Sequence, residues 1–315
     1  MMKAVISLIA LCFLPVPGML LLKVLFRRLT YAAGYVSSLL LNLLVFCLCI
    51  QNMAEGYEAP GMLPLRLLAA VLLGEAVIFC VIWIRQSIKR KKWFEFKRVS
   101  FSPFFALACV IWIAGAFSYI RFVPEGALTM MADINRIDFF GITNGDFGVM
   151  LGYYLKSLIG ISQADAVCLV LPLSFYFAFV VLMWEMANIL FQDKPALVTR
   201  CFFALAALTV LGDCLYSQPF LVLHGLNHVE NALTVLCVPL AFAIGLRLYF
   251  SWDRFLQDKE KADWSLGHII ALLICGCSAY LLYLRAFALV GLNLIIFVLL
   301  FTGRRYLPWL QSGKS

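Results

Sequence analysis

The sequence predicts an all-α integral membrane protein, and three observations lead to this fold class. Of the 315 residues, 64% are hydrophobic and only 13% are charged, against roughly 25% charged residues in an average soluble domain. The mean hydropathy is +0.96. Long apolar stretches recur along the chain, and helices satisfy their own backbone groups inside lipid. The composition therefore excludes a water-soluble fold, and residues 1–315 are predicted to form a single polytopic membrane domain.

Nine stretches contain the roughly 20 mostly apolar residues that a spanning helix needs. We predict about nine transmembrane helices, at residues 4–22, 29–50, 65–84, 101–123, 164–191, 201–222, 231–250, 267–284 and 286–303. Pro15 and Pro17 are expected to bend the first helix. Lys23, Arg27 and Arg28 follow it, so we interpret this helix as a retained membrane segment and not as a cleaved signal.

The basic residues predict the orientation of the chain. Residues 85–98, RQSIKRKKWFEFKR, contain seven Lys or Arg, so we place the loop 85–100 in the cytoplasm. Alternating the other loops then puts 19 of the 25 Lys and Arg residues inside. The N-terminus is thus predicted to be outside and the C-terminus cytoplasmic. The net charge of +8 is explained by this orientation, so no nucleic-acid partner is expected, and the loop could also bind anionic lipid headgroups.

The largest external segment is predicted at residues 124–163, and it has two different halves. Its first half includes MADINRIDFF, residues 131–140, in a chain that is otherwise overwhelmingly apolar. Its second half, FGVMLGYYLKSLIG, is apolar and aromatic but only about 14 residues long, too short to span comfortably. We predict one short interfacial or re-entrant helix there.

The external polar residues are the first candidates for a functional site. Carboxylates at the outer membrane boundary could act as a general base or hold a divalent cation, and histidines could position a phosphate. The candidates are Asp133, Asp138 and Asp146, joined by Asp213 and, from the loop 216–231, by His224, His228 and Glu230. An exposed ion pair between Asp133 and Arg136 is the structural alternative. No H-E-x-x-H pattern occurs, so a zinc site is not favoured.

Three acidic residues fall inside predicted spans, namely Glu75, Glu185 and Asp213. A charge at the bilayer centre costs about 2.5 kcal/mol or more, so each should face the bundle interior or a wet cavity. Glu75 lies nearest to mid-membrane, and both a simple hydrogen bond and a role in proton relay remain open for it. Glu185 lies near the inner boundary, where we expect it to snorkel towards water.

Three segments also resemble a known family. They are LPVPGMLLL with its basic turn, GYYLKSLIGISQADAVCLVLPLSFYFAFVVLMWEMANILF, and HGLNHVENALTVLCVPLAFAIGLRLYF. Together they resemble an uncharacterised family of bacterial polytopic membrane proteins, a domain of unknown function, with Pro172 and Pro239 at the family's span prolines. The layout is in turn similar to type C glycosyltransferases, which use polyprenyl-phosphate sugars and carry a catalytic Asp or Glu in an external loop.

The resemblance implies a glycosyltransferase-like protein of cell-envelope polysaccharide or glycolipid assembly in the bacterial plasma membrane. Asp133 or Asp138 would be catalytic, with Arg136 and the second external loop near the phosphate and membrane lipids as partners. The single aspartates replace a tighter acidic pair, so a degenerate relative is an alternative. A transporter or lipid flippase, favoured by intramembrane acids at three depths, and a non-catalytic scaffold of a membrane complex are the other two.

Overall fold

The computed structural model describes residues 2–26, 29–51, 63–87, 102–121, 127–140, 147–191, 194–215, 229–257 and 266–306. Within these ranges the chain is helical and contains no strand, so the predicted all-α class is confirmed. The α-helices are α1 (Met2–Phe13), α2 (Val16–Leu25), α3 (Tyr31–Gln51), α4 (Leu63–Ser87), α5 (Pro103–Arg121), α6 (Ala127–Phe140), α7 (Phe147–Tyr154), α8 (Gln163–Asp165), α9 (Leu171–Leu190), α10 (Pro195–Leu215), α11 (Val229–Gln257), α12 (Leu266–Leu282) and α13 (Leu284–Tyr306). Two π-helical turns, Leu155–Ile159 and Ala166–Val170, flank α8.

In the described ranges, six helical segments are long and apolar enough to cross a membrane, as expected of a multi-pass membrane protein. They are Met2–Leu25, Tyr31–Cys49, Arg66–Arg85, Gln163–Leu190, Asn231–Phe250 and Leu284–Gly303. Three shorter apolar helices, Pro103–Phe117, Pro195–Val210 and Leu266–Leu282, fall at the predicted fourth, sixth and eighth spans. Each of the nine predicted stretches therefore coincides with an apolar helix.

The first segment is broken into α1 and α2, as its prolines predicted. Leu14 and Pro15 form a turn between the two helices. The Met19 amide donates to the Pro15 carbonyl at 2.9 Å, so α2 starts a new hydrogen-bond ladder beyond the prolines. A proline has no N–H to donate and its ring crowds the preceding turn, which explains the break.

The centre of the bundle is formed by α3 and α9. Among the candidate spans, 72% of the residues of Tyr31–Cys49 and 67% of those of Gln163–Leu190 are buried, against 6% for Arg66–Arg85 in α4. Helix α3 packs against α2, α4, α9 and α12, whereas α4 packs mainly against α2 and α3. Helix α4 is therefore a peripheral helix that turns most of its surface to lipid.

The external segment folds back on the bundle as two packed helices. Helix α6 buries Ala127, Met130, Ile134 and Ile137, which is the one-sided stripe of an amphipathic helix. It packs on α7, where a Cβ on Gly152 would lie 2.6 Å from Ile134 Cδ1, so this close approach needs a glycine. Helix α7 and the first π turn together are about 20 Å long at 1.5 Å per residue, less than the hydrocarbon thickness of about 30 Å. This length agrees with the predicted interfacial or re-entrant helix.

Candidate functional site

A large groove lies between α1, α5, α9 and α10. Its volume is about 560 Å³, within the 300–1,000 Å³ that is usual for ligand pockets. The lining side chains are almost entirely apolar, and many of them are aromatic. They are Leu8, Cys12, Phe105, Cys109, Trp112, Ile113, Ala116, Leu173, Tyr176, Phe177, Val180, Val181, Trp184 and Phe202. The composition of the lining suits a hydrocarbon chain and provides little for a polar solute.

One wall of the groove is a set of interlocked aromatic rings. The ring centroids of Trp184 and Phe202 are 5.0 Å apart, and those of Phe105 and Trp184 are 5.3 Å apart, both in edge-to-face geometry. The Tyr176 hydroxyl donates to the Trp112 carbonyl at 2.9 Å, tying α9 to α5. Such aromatic pairs stabilise each other by about 0.5–1.5 kcal/mol beyond their burial. The wall is therefore preformed.

The groove is long in the direction of the helices and opens sideways. Its lining runs from Leu173 to Trp184 on α9 and from Phe105 to Ala116 on α5. At 1.5 Å per residue, both spans measure about 16 Å, the depth of one leaflet of a hydrocarbon core about 30 Å thick. Ile113 and Phe177 line the groove and are 56% and 46% exposed, so a chain could enter from the lipid.

Cationic and amide side chains gather beyond one end of the groove; we call Lys3, Asn135, Lys156 and Gln163 the outer polar patch. Lys156 Nζ donates to Asn135 Oδ1 at 3.3 Å, and Gln163 Nε2 donates to the same oxygen. Lys3 Nζ lies 3.4 Å from the Cβ position of Gly160, whose φ of 66° ends the first π turn. Lys3 precedes the groove residue Leu8 by five positions on α1, about 8 Å along the axis. Two ammonium groups therefore lie near this end.

The MADINRIDFF segment forms the second half of α6, and its polar residues lie on the helix surface. Asp133 and Arg136 form an ion pair at 3.4 Å with side chains 39% and 70% exposed, the structural alternative that their spacing allowed. Positions 133 and 138 are about 140° apart around a helix of 3.6 residues per turn. A single cation would therefore have to be approached from two sides of α6 to bind both aspartates.

The other external candidates fall largely outside the described part of the chain. Asp146, His224 and His228 are outside the described residues, and so are the side chains of Asp138, Asp213 and Glu230, whose backbones belong to α6, α10 and α11. Among the residues that are described, no group of three or more His, Cys, Asp or Glu could hold a metal ion.

A tyrosine of α7 lies close to the outer polar patch along the chain and is buried. Tyr154 is 3% exposed and packs edge-to-face on Phe46, with ring centroids 5.7 Å apart. Burial, with the neighbouring Tyr153 adding to it, raises the pKa of Tyr154 to about 12. This hydroxyl therefore stays protonated near neutral pH, which excludes it as a general base.

The prediction that Glu185 snorkels towards water was wrong. Its side chain is 9% exposed, and its Oε1 lies 3.0 Å from a guanidinium nitrogen of Arg247. The sequence analysis assigned Arg247 to a cytoplasmic loop, but α11 continues to Gln257 and carries the arginine within the helix. His268 of α12 and Thr30 line the same tightly packed region. An acid inside a span needs a partner, and this requirement was the signal that pointed to a basic residue on a neighbouring helix.

Glu75 faces the interior of the bundle, as predicted. It is 8% exposed in α4. Its carboxylate oxygens lie 2.7 and 2.8 Å from the point that a Cβ on Gly18 would occupy, so it fills the space that this glycine leaves on α2.

Comparisons with known proteins leave the geometry as the basis for a functional argument. No protein-family model, curated protein or solved structure matches this chain. The resemblance to a family with the layout of type C glycosyltransferases therefore stays a prediction. The groove and the outer polar patch are the features from which a function can be argued.

Proposed function

We propose that this protein binds a long-chain lipid phosphate in the groove and acts as a glycosyltransferase-like protein of cell-envelope polysaccharide or glycolipid assembly. The observation that carries the proposal is the apolar groove of about 560 Å³ with two lysines beyond one end. An apolar channel one leaflet deep matches a hydrocarbon chain, and ammonium groups at its end match a phosphate. A polyprenyl-phosphate sugar has both parts.

In this proposal the donor lies with its chain along α5 and α9 and its phosphate near Lys3 and Lys156. Asp133 or Asp138 removes the proton from an acceptor hydroxyl while the acceptor oxygen bonds to the sugar carbon. The bond from that carbon to the phosphate oxygen breaks, and the lipid phosphate leaves with its electrons. The lysines offset the negative charge that remains on the leaving phosphate.

The proposed topology has nine spans, with the N-terminus outside and the C-terminus in the cytoplasm of a bacterial cell. The nine apolar helices and the bias of basic residues support it. It puts α6, α7 and the outer polar patch on the external face, where a lipid-linked sugar would be used. Labelling of a single cysteine introduced at Asn135 with a membrane-impermeant maleimide in intact cells should succeed, and protection there would reverse the topology.

The transferase part can be tested in proteoliposomes with a radiolabelled polyprenyl-phosphate sugar and extracted envelope acceptors. Asp133→Asn and Asp138→Asn should be compared with the wild type after matching for folded protein. We expect at least one of them to lose transfer by 100-fold or more, within the range of about 10²–10⁴ for general acid–base groups. Full activity in both variants would contradict the catalytic assignment.

A lipid flippase is the second candidate function, because the groove opens sideways to lipid and α4 carries a buried acid. Fluorescent lipid in proteoliposomes, bleached from outside, would reveal flipping as a loss of signal beyond one leaflet. Flipping by the wild type that Glu75→Gln abolishes would favour this function over sugar transfer. Bleaching that stops at one leaflet would exclude it.

A further inference from the structure

The single acid of α4 is also its most deeply buried residue. Between Arg66 and Arg85 every residue is described, and Glu75 alone is buried while the apolar residues around it face outwards. This reverses the usual arrangement of a soluble helix, but it is the arrangement that lipid requires. Helix α4 is thus oriented by its one carboxyl group.

The space that receives Glu75 is created by a missing side chain. A Cβ on Gly18 would lie 2.7 and 2.8 Å from the two carboxylate oxygens and would also collide with Ser38 Oγ. The serine hydroxyl and the carboxylate are therefore neighbours across the α2–α3–α4 interface. Ser38 is fully buried, so bulk water does not reach this contact.

Several polar atoms at this interface lack a partner within the described part of the protein. Glu75 Oε2, Ser37 Oγ and Ser38 Oγ are buried without a hydrogen bond, as are both amide atoms of Asn42. Asn42 is one turn from Ser38 on α3, and with Ser174 it lines a cavity of about 50 Å³. A water needs about 10–15 Å³ by this measure, so the cavity has room for several.

The charges around Glu75 do not neutralise it. The elements packed mainly against α4 are α2 and α3. Their ionisable residues are Lys23, Tyr31, Tyr35, Cys47 and Cys49. Lys23 is directed elsewhere, since its Nζ donates to the Leu29 carbonyl at 2.8 Å and lies 5.0 Å above the Tyr31 ring. The Tyr35 hydroxyl donates to the Cys12 carbonyl at 2.8 Å. Among the described residues, no cationic side chain forms an ion pair with Glu75.

We propose that Glu75 is a proton-binding site inside the membrane. An uncompensated carboxylate in this position would cost about 2.5 kcal/mol or more. A bound proton removes the charge, and the resulting O–H can donate to Ser38 Oγ or to a water. When the proton leaves, the carboxylate regains its charge and waters from the Asn42 cavity, one helical turn away, are the nearest solvent. This site is independent of the proposed sugar transfer.

A carbodiimide experiment tests the proposal, because dicyclohexylcarbodiimide is an apolar reagent that adds to a protonated carboxyl group. The full-length protein in lipid nanodiscs would be labelled across a pH series and mapped by peptide mass spectrometry. We expect a single adduct on Glu75, with a rate that falls about tenfold per pH unit once the group ionises. Glu185, which is paired with Arg247, is the internal control and should remain unmodified.

Three results would overturn the assignment. They are no adduct on Glu75 at any pH, equal labelling of Glu75 and Glu185, and slowing by sodium ions at constant pH, which would indicate an alkali-cation site. Glu75→Gln should lose the adduct. If that variant does not fold, Gly74→Ala, a neighbour whose Cβ would have nothing within 4 Å, serves as the folded control, and the wild-type map decides.

Discussion

Two interfaces of this bundle bury one glutamate each, and they solve the same problem differently. Between α9 and α11, Glu185 meets Arg247 at 3.0 Å. Between α4 and α2, Glu75 meets a glycine notch and a serine hydroxyl, with no cation among the described residues. One acid is neutralised by a fixed arginine, and in our proposal the other is neutralised by a proton that can leave.

The difference concerns what each interface can do. A buried ion pair holds two helices in one arrangement, since separating the charges exposes both to a medium that solvates them poorly. A carboxyl group opposite a hydroxyl group can gain and lose its charge without losing a partner residue. The α9–α11 interface is therefore expected to be structural, and the α2–α3–α4 interface is expected to respond to protons.

The largest effect should come from removing the arginine. Arg247→Gln leaves Glu185 buried without its counter-charge, so we expect the free energy of unfolding in mixed detergent micelles to fall by about 3–5 kcal/mol. The double variant Glu185→Gln with Arg247→Gln should recover part of this loss. A loss below 1 kcal/mol in the single variant would show that the pair is not a structural link.

A methyl group in the notch should have the next largest effect. Gly18→Ala puts a Cβ against Ser38 and Glu75, and overpacking of this kind costs about 1–3 kcal/mol. Gly74→Ala on α4 is the matched control, since a Cβ there has nothing within 4 Å and should leave stability unchanged or slightly higher. Unfolding of both variants in the same micelles makes the comparison. Equal stabilities would contradict the notch.

Neutralising Glu75 should cost little. Glutamine has the size of protonated glutamate and can still bond to Ser38, so we expect Glu75→Gln to change the unfolding free energy by less than about 1 kcal/mol. The measurement is the same unfolding titration at neutral pH. A loss as large as that of Arg247→Gln would mean that Glu75 is ionised and paired in the folded protein.

The smallest effect is expected on the surface of α6. Asp133 and Arg136 are exposed and 3.4 Å apart, and exposed pairs contribute about 0–1 kcal/mol. Arg136→Gln should therefore leave stability within 1 kcal/mol of the wild type. The same variant in the transfer assay separates stability from function. A large stability loss would show that α6 is fixed by this pair.

The sequence was sufficient for the features that depend on a single helix. Apolar length predicted every helix that could cross the membrane, and Pro15 and Pro17 predicted the break between α1 and α2. Because lipid cannot solvate a carboxylate, the inward direction of Glu75 was also predictable. Each of these features follows from a local property of the chain.

Features shared between helices could not be predicted in the same way. Glu185 and Arg247 are 62 positions apart, and their contact depends on how α9 and α11 pack. The groove joins Trp112, Tyr176 and Phe202, which lie on three helices and read in sequence only as apolar residues. Sequence analysis therefore placed the candidate site in the external loops and missed the cavity beneath them.

The most direct test of the proposed function asks which lipid occupies the groove. The protein should be extracted with its native lipids in polymer-bounded particles and analysed by native mass spectrometry, beside Ala116→Phe, which fills the groove, and Ala70→Phe, the same change on the exposed face of α4. We predict that the wild type and Ala70→Phe retain a polyprenyl phosphate or its sugar-loaded form and that Ala116→Phe loses it. Retention of ordinary bilayer phospholipids alone, in equal amounts in all three proteins, would contradict the account.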